Sequence, residues 1–185
     1  MQKLLTIASW IDRLNERVGR LACWLTLLMI LIGSFNAIAR YVGRYWGISL
    51  TSNAFLEMQW YLFSAVFLLG AAYTLRHNAH VRVDVLFSRL CPRTQAWIEL
   101  IGTLAFLVPF CIIMLWVSWA PVRNSWMILE MSPDPGGLPR YPIKSLIPLA
   151  FFLLLLQGIA DGIKQWGLLK GVIRTSLDEY HPGDT

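Results

Sequence analysis

The sequence predicts an all-α integral membrane protein with four transmembrane helices and an N-terminal interfacial amphipathic helix. Of its 185 residues, 56% are hydrophobic. Only 15% are charged, against about 25% in ordinary soluble domains. Four apolar runs also reach the length of about 20 residues that a membrane-spanning helix needs. Backbone polar groups cannot stay unpaired in lipid, so these runs are predicted to be helices.

Residues 1–20 carry the predicted amphipathic helix. Apolar side chains recur there at spacings of three and four residues, and charged side chains fill most of the positions between them. We expect this helix to lie on the membrane surface and to run into the first span. The segment lacks the apolar core and small-residue cleavage site of a secretory signal. The apolar positions are Ile7, Ile11, Leu14, Val18 and Leu21.

The four predicted spans cover residues 21–39, 55–75, 96–119 and 146–166. Pro109 and Pro148 predict local kinks in the third and fourth spans rather than breaks. Lys and Arg residues favour the cytoplasmic side of a membrane. Eleven of them fall on the side of the two termini and five on the other side. This asymmetry predicts cytoplasmic N- and C-termini, including a tail at 167–185.

The outer segment 123–144 is predicted to be a stiff, shaped loop. It contains four prolines and a Gly136–Gly137 pair. Prolines fix the backbone and cannot donate a hydrogen bond, so they favour turns and extended chain. The other outer loop, 40–54, is short.

Polar residues inside the spans are functional candidates by default. Glu57 lies near the outer start of the second span, where it is either a proton or cation site, or an acid favoured by the helix dipole or facing a partner. Gln157, Asp161 and Gln165 share one face of the fourth span. They are flanked by Gly158 and Gly162, so this face favours helix packing over transport.

The densest polar stretch, RHNAHVRVDVL at 76–86, follows the second span. His77, His80 and Asp84 would share a helix face, which admits a metal site, but no fourth candidate ligand lies nearby. Arg76 and Arg82 are candidates for binding anionic lipid headgroups. The interpretation we favour is a docking and turn-setting segment in which Asp84 caps a short interfacial helix.

Enzymatic function has little support in the sequence. The three histidines lie outside the predicted spans, which argues against a membrane haem, and no nucleotide-binding loop or nucleophile elbow is present. The three cysteines have no metal-binding spacing. We therefore expect no catalytic residue, cofactor, metal or nucleic-acid partner.

Several motifs resemble the small membrane subunit, DctQ type, of tripartite ATP-independent periplasmic (TRAP) transporters. The resemblance is carried by Glu57 with WYLFSAVFLLGAAYTLR at 60–76, then HVRVDVL at 80–86, then PRTQAWIEL at 92–100. The most specific part is the G-A-A…R…HVRVD block between the second and third spans. The stretch SPDPGGLPRYPIKSLIPLAFFLLLLQG at 132–158 is similar to the final part of that family. The resemblance extends over about residues 15 to 165.

The resemblance implies a three-part, sodium-coupled uptake system for organic acids or related solutes, located in the bacterial inner membrane. A periplasmic binding protein captures the solute, and a large membrane subunit, which holds the transport and sodium sites, moves it. The small subunit then acts as a scaffold for the large one and helps to receive the binding protein. Candidate contacts with a partner or with lipid are Glu57, Arg76, His80, Arg82, Asp84, Asp134, Arg140, Gln157 and Asp161.

Two other functions remain open from the sequence. One is a self-sufficient four-helix exporter coupled to protons through Glu57. The other is a membrane anchor for an enzyme complex.

Overall fold

A computed structural model describes residues 2–48, 51–77 and 90–170, most of which lie in packed helices. Within this part, four helical stretches are long and apolar enough to cross a membrane, as the sequence predicts. His80, Arg82, Asp84 and the tail after Lys170 lie outside the described residues. The helices are α1 (Gln2–Trp46), α2 (Asn53–Arg76), α3 (Pro92–Gly102), a π-helical turn (Thr103–Leu107), α4 (Val108–Met127) and α5 (Tyr141–Leu169).

The predicted amphipathic helix and the first span form one continuous helix, α1. Its 45 residues extend about 67 Å at 1.5 Å per residue, roughly twice the hydrocarbon thickness of a bilayer. Ala8 and Ile11 in its first part are buried against α5, where Leu156, Ala160 and Ile163 surround them. Protein thus covers part of the apolar stripe, and its position at the membrane surface stays a prediction.

Helix α5 is the centre of the bundle, since it packs against α1, α2, α3 and α4. Small residues allow these close approaches. A Cβ added at Gly158 would lie 2.8 Å from Cδ2 of Leu107, whereas one at Gly162 would meet Leu100 at an ordinary 3.8 Å. The predicted packing role of the two glycines is therefore confirmed most clearly at Gly158.

The third span is distorted next to Pro109 but not broken. The N–H of Val108 donates to the carbonyl of Thr103, five residues earlier, and this wider turn defines the π-helical segment. A proline ring collides with the carbonyl four residues before it in a regular α-helix. The π turn relieves that collision one turn ahead of Pro109. Helix α5 likewise continues through Pro148.

The outer surface of the bundle is strongly apolar. Trp24 and Trp116, in α1 and α4, are 70% and 80% exposed. Such a surface is stable only where lipid or another apolar protein covers it. The chain is therefore a multi-pass membrane protein. The bundle has two ends: the tail end, where α1 begins and α5 ends, and the loop end, where residues 128–140 lie.

Candidate functional site

Residues 130–140 fold into a short hairpin at the loop end of the bundle, here called the loop-end hairpin. The N–H of Ser132 donates to the carbonyl of Leu138 at 3.2 Å. The N–H of Arg140 donates to the carbonyl of Glu130 at 2.8 Å. These two bonds join the rising and returning arms, so the proline-rich loop has the defined shape that its composition predicts.

The tip of the hairpin is a tight turn formed by Asp134, Pro135, Gly136 and Gly137. The N–H of Gly137 donates to the carbonyl of Asp134 at 3.0 Å. Pro135 takes the second position, and Gly136 follows with a φ of +73°. This is the pattern of a type II turn, in which proline presets the second residue and glycine supplies the positive φ at the third.

Glu57 holds this hairpin on α2. The residue is only 4% exposed, and both oxygens of its carboxylate accept hydrogen bonds, one from the Ser132 hydroxyl and one from the N–H of Leu138. Gly137 lies so close that a Cβ there would be 2.8 Å from the carboxylate. A proton or cation site at Glu57 would have to compete with these bonds.

Two more side chains of α2 bind the same hairpin. Nδ2 of Asn53 donates to the carbonyl of Pro135 at 3.0 Å. The hydroxyl of Tyr61 donates to the carbonyl of Pro139 at 3.1 Å. Proline carbonyls remain free to accept such bonds, so the first three turns of α2 fix the hairpin at its tip and at its base.

Glu130 attaches the base of the hairpin to the other helices. Its carboxylate accepts hydrogen bonds from the Lys144 ammonium of α5 and, at 2.7 Å, from the Ser125 hydroxyl of α4. These two bonds, that of Lys144 first, lower the pKa of Glu130 below its ordinary value. The hairpin is therefore connected to α2, α4 and α5 together.

The sequence-predicted contacts Asp134 and Arg140 lie on this hairpin. Asp134 is exposed at the tip. Arg140 is half-buried and lines a cleft of about 290 Å³ between α2 and α5, beside Trp60 and Lys144. Its buried Nε has no hydrogen-bond partner among the described residues. The structure thus brings a firm scaffold and two charged side chains to the same end of the bundle.

A second polar cluster joins α1, α2 and α5 at the tail end. Arg76, at the end of α2, forms an ion pair with Glu16 of α1 and donates to the backbone carbonyl of Asp12 at 2.8 Å. Nε2 of the neighbouring His77 lies 3.1 Å from the carboxylate of Glu16. Arg76 was a candidate lipid contact from sequence, and the structure shows it bound within the chain.

Gln157 lies at the centre of this tail-end cluster and is fully buried. Its Oε1 accepts from Nδ2 of Asn15 at 2.7 Å, and its Nε2 donates to Asp12 and Asp161 at 3.0 Å each. Lys164 lies between the two aspartates, at 2.7 Å from Asp12 and 3.1 Å from Asp161. The polar groups of the cluster therefore largely satisfy one another.

The polar stripe of α5 faces protein, as its spacing predicts. Gln165, the third member, donates to Glu99 of α3, while Gln157 and Asp161 face α1. Sequence reasoning missed the α1 side, Asp12, Asn15 and Glu16, because that segment was interpreted as a surface helix. In the sequence, these polar residues lie between the apolar residues of the stripe that packs on α5. That spacing was the available signal.

The metal interpretation of RHNAHVRVDVL is not tested by the structure, because His80 and Asp84 fall outside the described residues. Within 2–48, 51–77 and 90–170, no three His, Cys, Asp or Glu side chains are grouped to hold a metal ion. All nine sequence-predicted contacts stay predictions as sites for a partner or for lipid.

The family model for tripartite ATP-independent periplasmic transporters, DctQ component, matches residues 29–167. The chain belongs to the DctQ family. This DctQ protein is therefore a membrane component of a TRAP transporter, and the resemblance found in its sequence is confirmed. The match includes the loop-end hairpin and the α2 and α5 sides of the tail-end cluster, but not Asp12, Asn15 or Glu16.

One curated relative of this DctQ protein is the isethionate TRAP transporter permease protein DctMQ of Oleidesulfovibrio alaskensis, which is 26% identical over 171 residues. The aligned region includes 90% of this chain but 26% of that protein. The chain thus spans about a quarter of the length of the relative. No solved structure matches it.

Proposed function

We propose that this DctQ protein is the small membrane subunit of a sodium-coupled, binding-protein-dependent TRAP transporter for organic acids or related solutes. Its role is to brace the large transport subunit and to help receive the periplasmic binding protein. The relative's name joins DctM with DctQ, and most of that relative lies outside the aligned region. This supports a large membrane subunit as the partner of the present chain.

The observation that carries the scaffold role is that the buried polar groups bond to other parts of the chain. Gln157, Asn15 and Glu57 are almost fully buried, and each bonds to another helix or to the loop-end hairpin. Buried polar groups that are bonded to each other stabilise one arrangement of helices. Such a body suits the fixed part of a carrier, whereas a solute site needs polar groups that are open to the solute.

The loop-end hairpin is proposed as the surface that receives the binding protein. It is attached to three helices, and the charged Asp134 is exposed at its tip. A firmly held loop loses little conformational freedom on binding, which favours association. The excess of Lys and Arg at the tail end supports a cytoplasmic location for that end and a periplasmic one for the hairpin.

Uptake into proteoliposomes that contain the complete transporter tests the role of the hairpin. Asp134→Ala and Arg140→Gln should lower the uptake rate when the binding protein is limiting, while the complex still assembles. Arg44→Gln is the matched control, because Arg44 is an exposed cation in the last turn of α1 at the same end of the bundle. Uptake that is unaltered by the hairpin substitutions would remove this part of the proposal.

The segment after α2 is proposed to seat the large subunit or a lipid through His80, Arg82 and Asp84. Gln157 and Asp161 act from within the bundle, where Gln157 joins α5 to α1. His80→Ala and Asp84→Ala should reduce the amount of large subunit that copurifies. Wild-type recovery and uptake with both substitutions would count against the seating role.

The exporter alternative requires Glu57 to be a proton-coupled transport site rather than an anchor of the hairpin. It requires the purified chain alone to move a solute, with loss of that activity in Glu57→Gln. The carboxylate of Glu57 is bonded to the hairpin through both oxygens, so no described contact favours this alternative.

A further inference from the structure

An apolar groove of about 670 Å³ opens on the outside of the bundle at the tail end. α1, α3, α5 and the π-helical turn form its walls. Its lining is almost wholly apolar, so hydrocarbon is the ligand that its wall suits. The lining includes Leu4, Trp97, Leu104, Ala105, Ile163 and Trp166.

Each of the three helices carries a basic residue close in sequence to a residue that lines the groove. Lys3 is next to Leu4 on α1. Arg93 lies one turn before Trp97 on the same face of α3. Lys170 lies one turn after Trp166, and its Nζ is 5.0 Å from the centre of the Trp166 ring. The three basic side chains are exposed.

The neighbouring acids are bonded elsewhere. Glu99, two residues after Trp97, lies roughly on the opposite side of α3 from the groove and accepts a hydrogen bond from Gln165. Asp161 is bonded to Gln157 and Lys164. Three cations therefore lie on the helices that form the groove, whereas its wall is apolar.

We propose that this groove is a binding site for an anionic phospholipid. An acyl chain lies along the apolar wall, and the phosphate group lies among Lys3, Arg93 and Lys170. Trp97 and Trp166 stand between the two regions, at the depth where amphipathic rings prefer to meet headgroups. The inference rests on the membrane location of the chain and not on its proposed role in transport.

Native mass spectrometry of the purified full-length chain tests the site, with phosphatidylglycerol as the anionic probe and phosphatidylcholine as the zwitterionic one. Wild type should retain phosphatidylglycerol preferentially. Removing all three cations (Lys3→Gln, Arg93→Gln, Lys170→Gln) should weaken phosphatidylglycerol binding by roughly tenfold or more, because each basic residue near an anionic group adds to the attraction. Arg13→Gln, Arg17→Gln and Arg20→Gln together form the matched control: they remove the same charge from exposed positions of α1 and should change binding far less.

A second variant tests the apolar wall of the groove independently of the three basic residues. Ala105 is exposed within the groove, so Ala105→Trp should fill the groove and displace the acyl chain, with the melting temperature of the lipid-free protein unchanged. Equal phosphatidylglycerol retention by wild type, the triple variant and Ala105→Trp would overturn the site. So would displacement of the lipid by a peptide of residues 171–185, or a cross-link from Ala105→Cys to the large subunit in the lipid-free complex, because either result assigns the groove to a protein segment.

Discussion

Glu57 illustrates at the residue scale how a buried charge is used in this protein. Its bonding partners Ser132 and Leu138 follow 75 and 81 residues later in the chain. The sequence shows an acid near a helix start, which is typical of either a coupling site or a dipole-favoured carboxylate. It does not show that a distant loop returns to that helix, so the role as an anchor of the hairpin could not be predicted.

Replacing Glu57 by Gln should loosen the loop-end hairpin. The amide keeps the size of the side chain but loses the charge that strengthens both hydrogen bonds. We expect a melting temperature several degrees lower in detergent and faster proteolysis within residues 130–140. Ser132→Ala, which removes one donor and leaves the carboxylate, should give a smaller change. Wild-type stability and protection in Glu57→Gln would contradict the anchoring role.

Glu130 should make the stability of the same hairpin depend on pH. The bonds from Lys144 and Ser125 place its folded-state pKa below the ordinary value of 4.5. The stabilisation that Glu130 contributes is therefore present above its unfolded-state pKa. It is lost as the pH falls through its lowered folded-state pKa. The melting temperature should fall as the pH decreases below about 4.5, and Glu130→Gln should flatten part of that slope. Identical slopes for both proteins would rule out this linkage.

At the scale of the elements, hydrophobic runs and prolines predicted most of the helical architecture. The four spans are found where the apolar runs occur, because lipid leaves a helix no alternative to internal hydrogen bonding. Pro109 distorts its span without ending it. The π turn itself could not be predicted, because the sequence does not show how the helix adjusts to Pro109. The run of the amphipathic segment into the first span was predicted, whereas the packing of its apolar stripe on α5 was missed.

The contact between α1 and α2 depends on Gly19. A Cβ at this position would lie 2.0 Å from the Tyr73 ring, so Gly19→Ala forces the ring or the helix to move. Overpacking of this kind costs about 1–3 kcal/mol, and the melting temperature should fall accordingly. Gly70→Ala is the matched control in α2, because open space surrounds that position and alanine favours the helix. A Gly19→Ala protein as stable as Gly70→Ala would contradict the close packing.

In the whole molecule, the polar clusters at the two ends both join helices to one another. Asp12, Arg76 and Gln157 join α1, α2 and α5 at the tail end, and Glu57 and Glu130 join α2, α4 and α5 through the hairpin. The bundle is therefore fastened at both ends around a central helix. A body of this kind suits a stationary support in the membrane for a separate carrier that moves.

The most direct test of this account is to purify the chain from its native membrane in mild detergent and to weigh the intact complex. The account predicts a complex in which this chain is bound to a large, highly hydrophobic subunit, with uptake in proteoliposomes only when that subunit and the binding protein are present. Recovery of the chain alone or as a homo-oligomer that transports a solute by itself would contradict it.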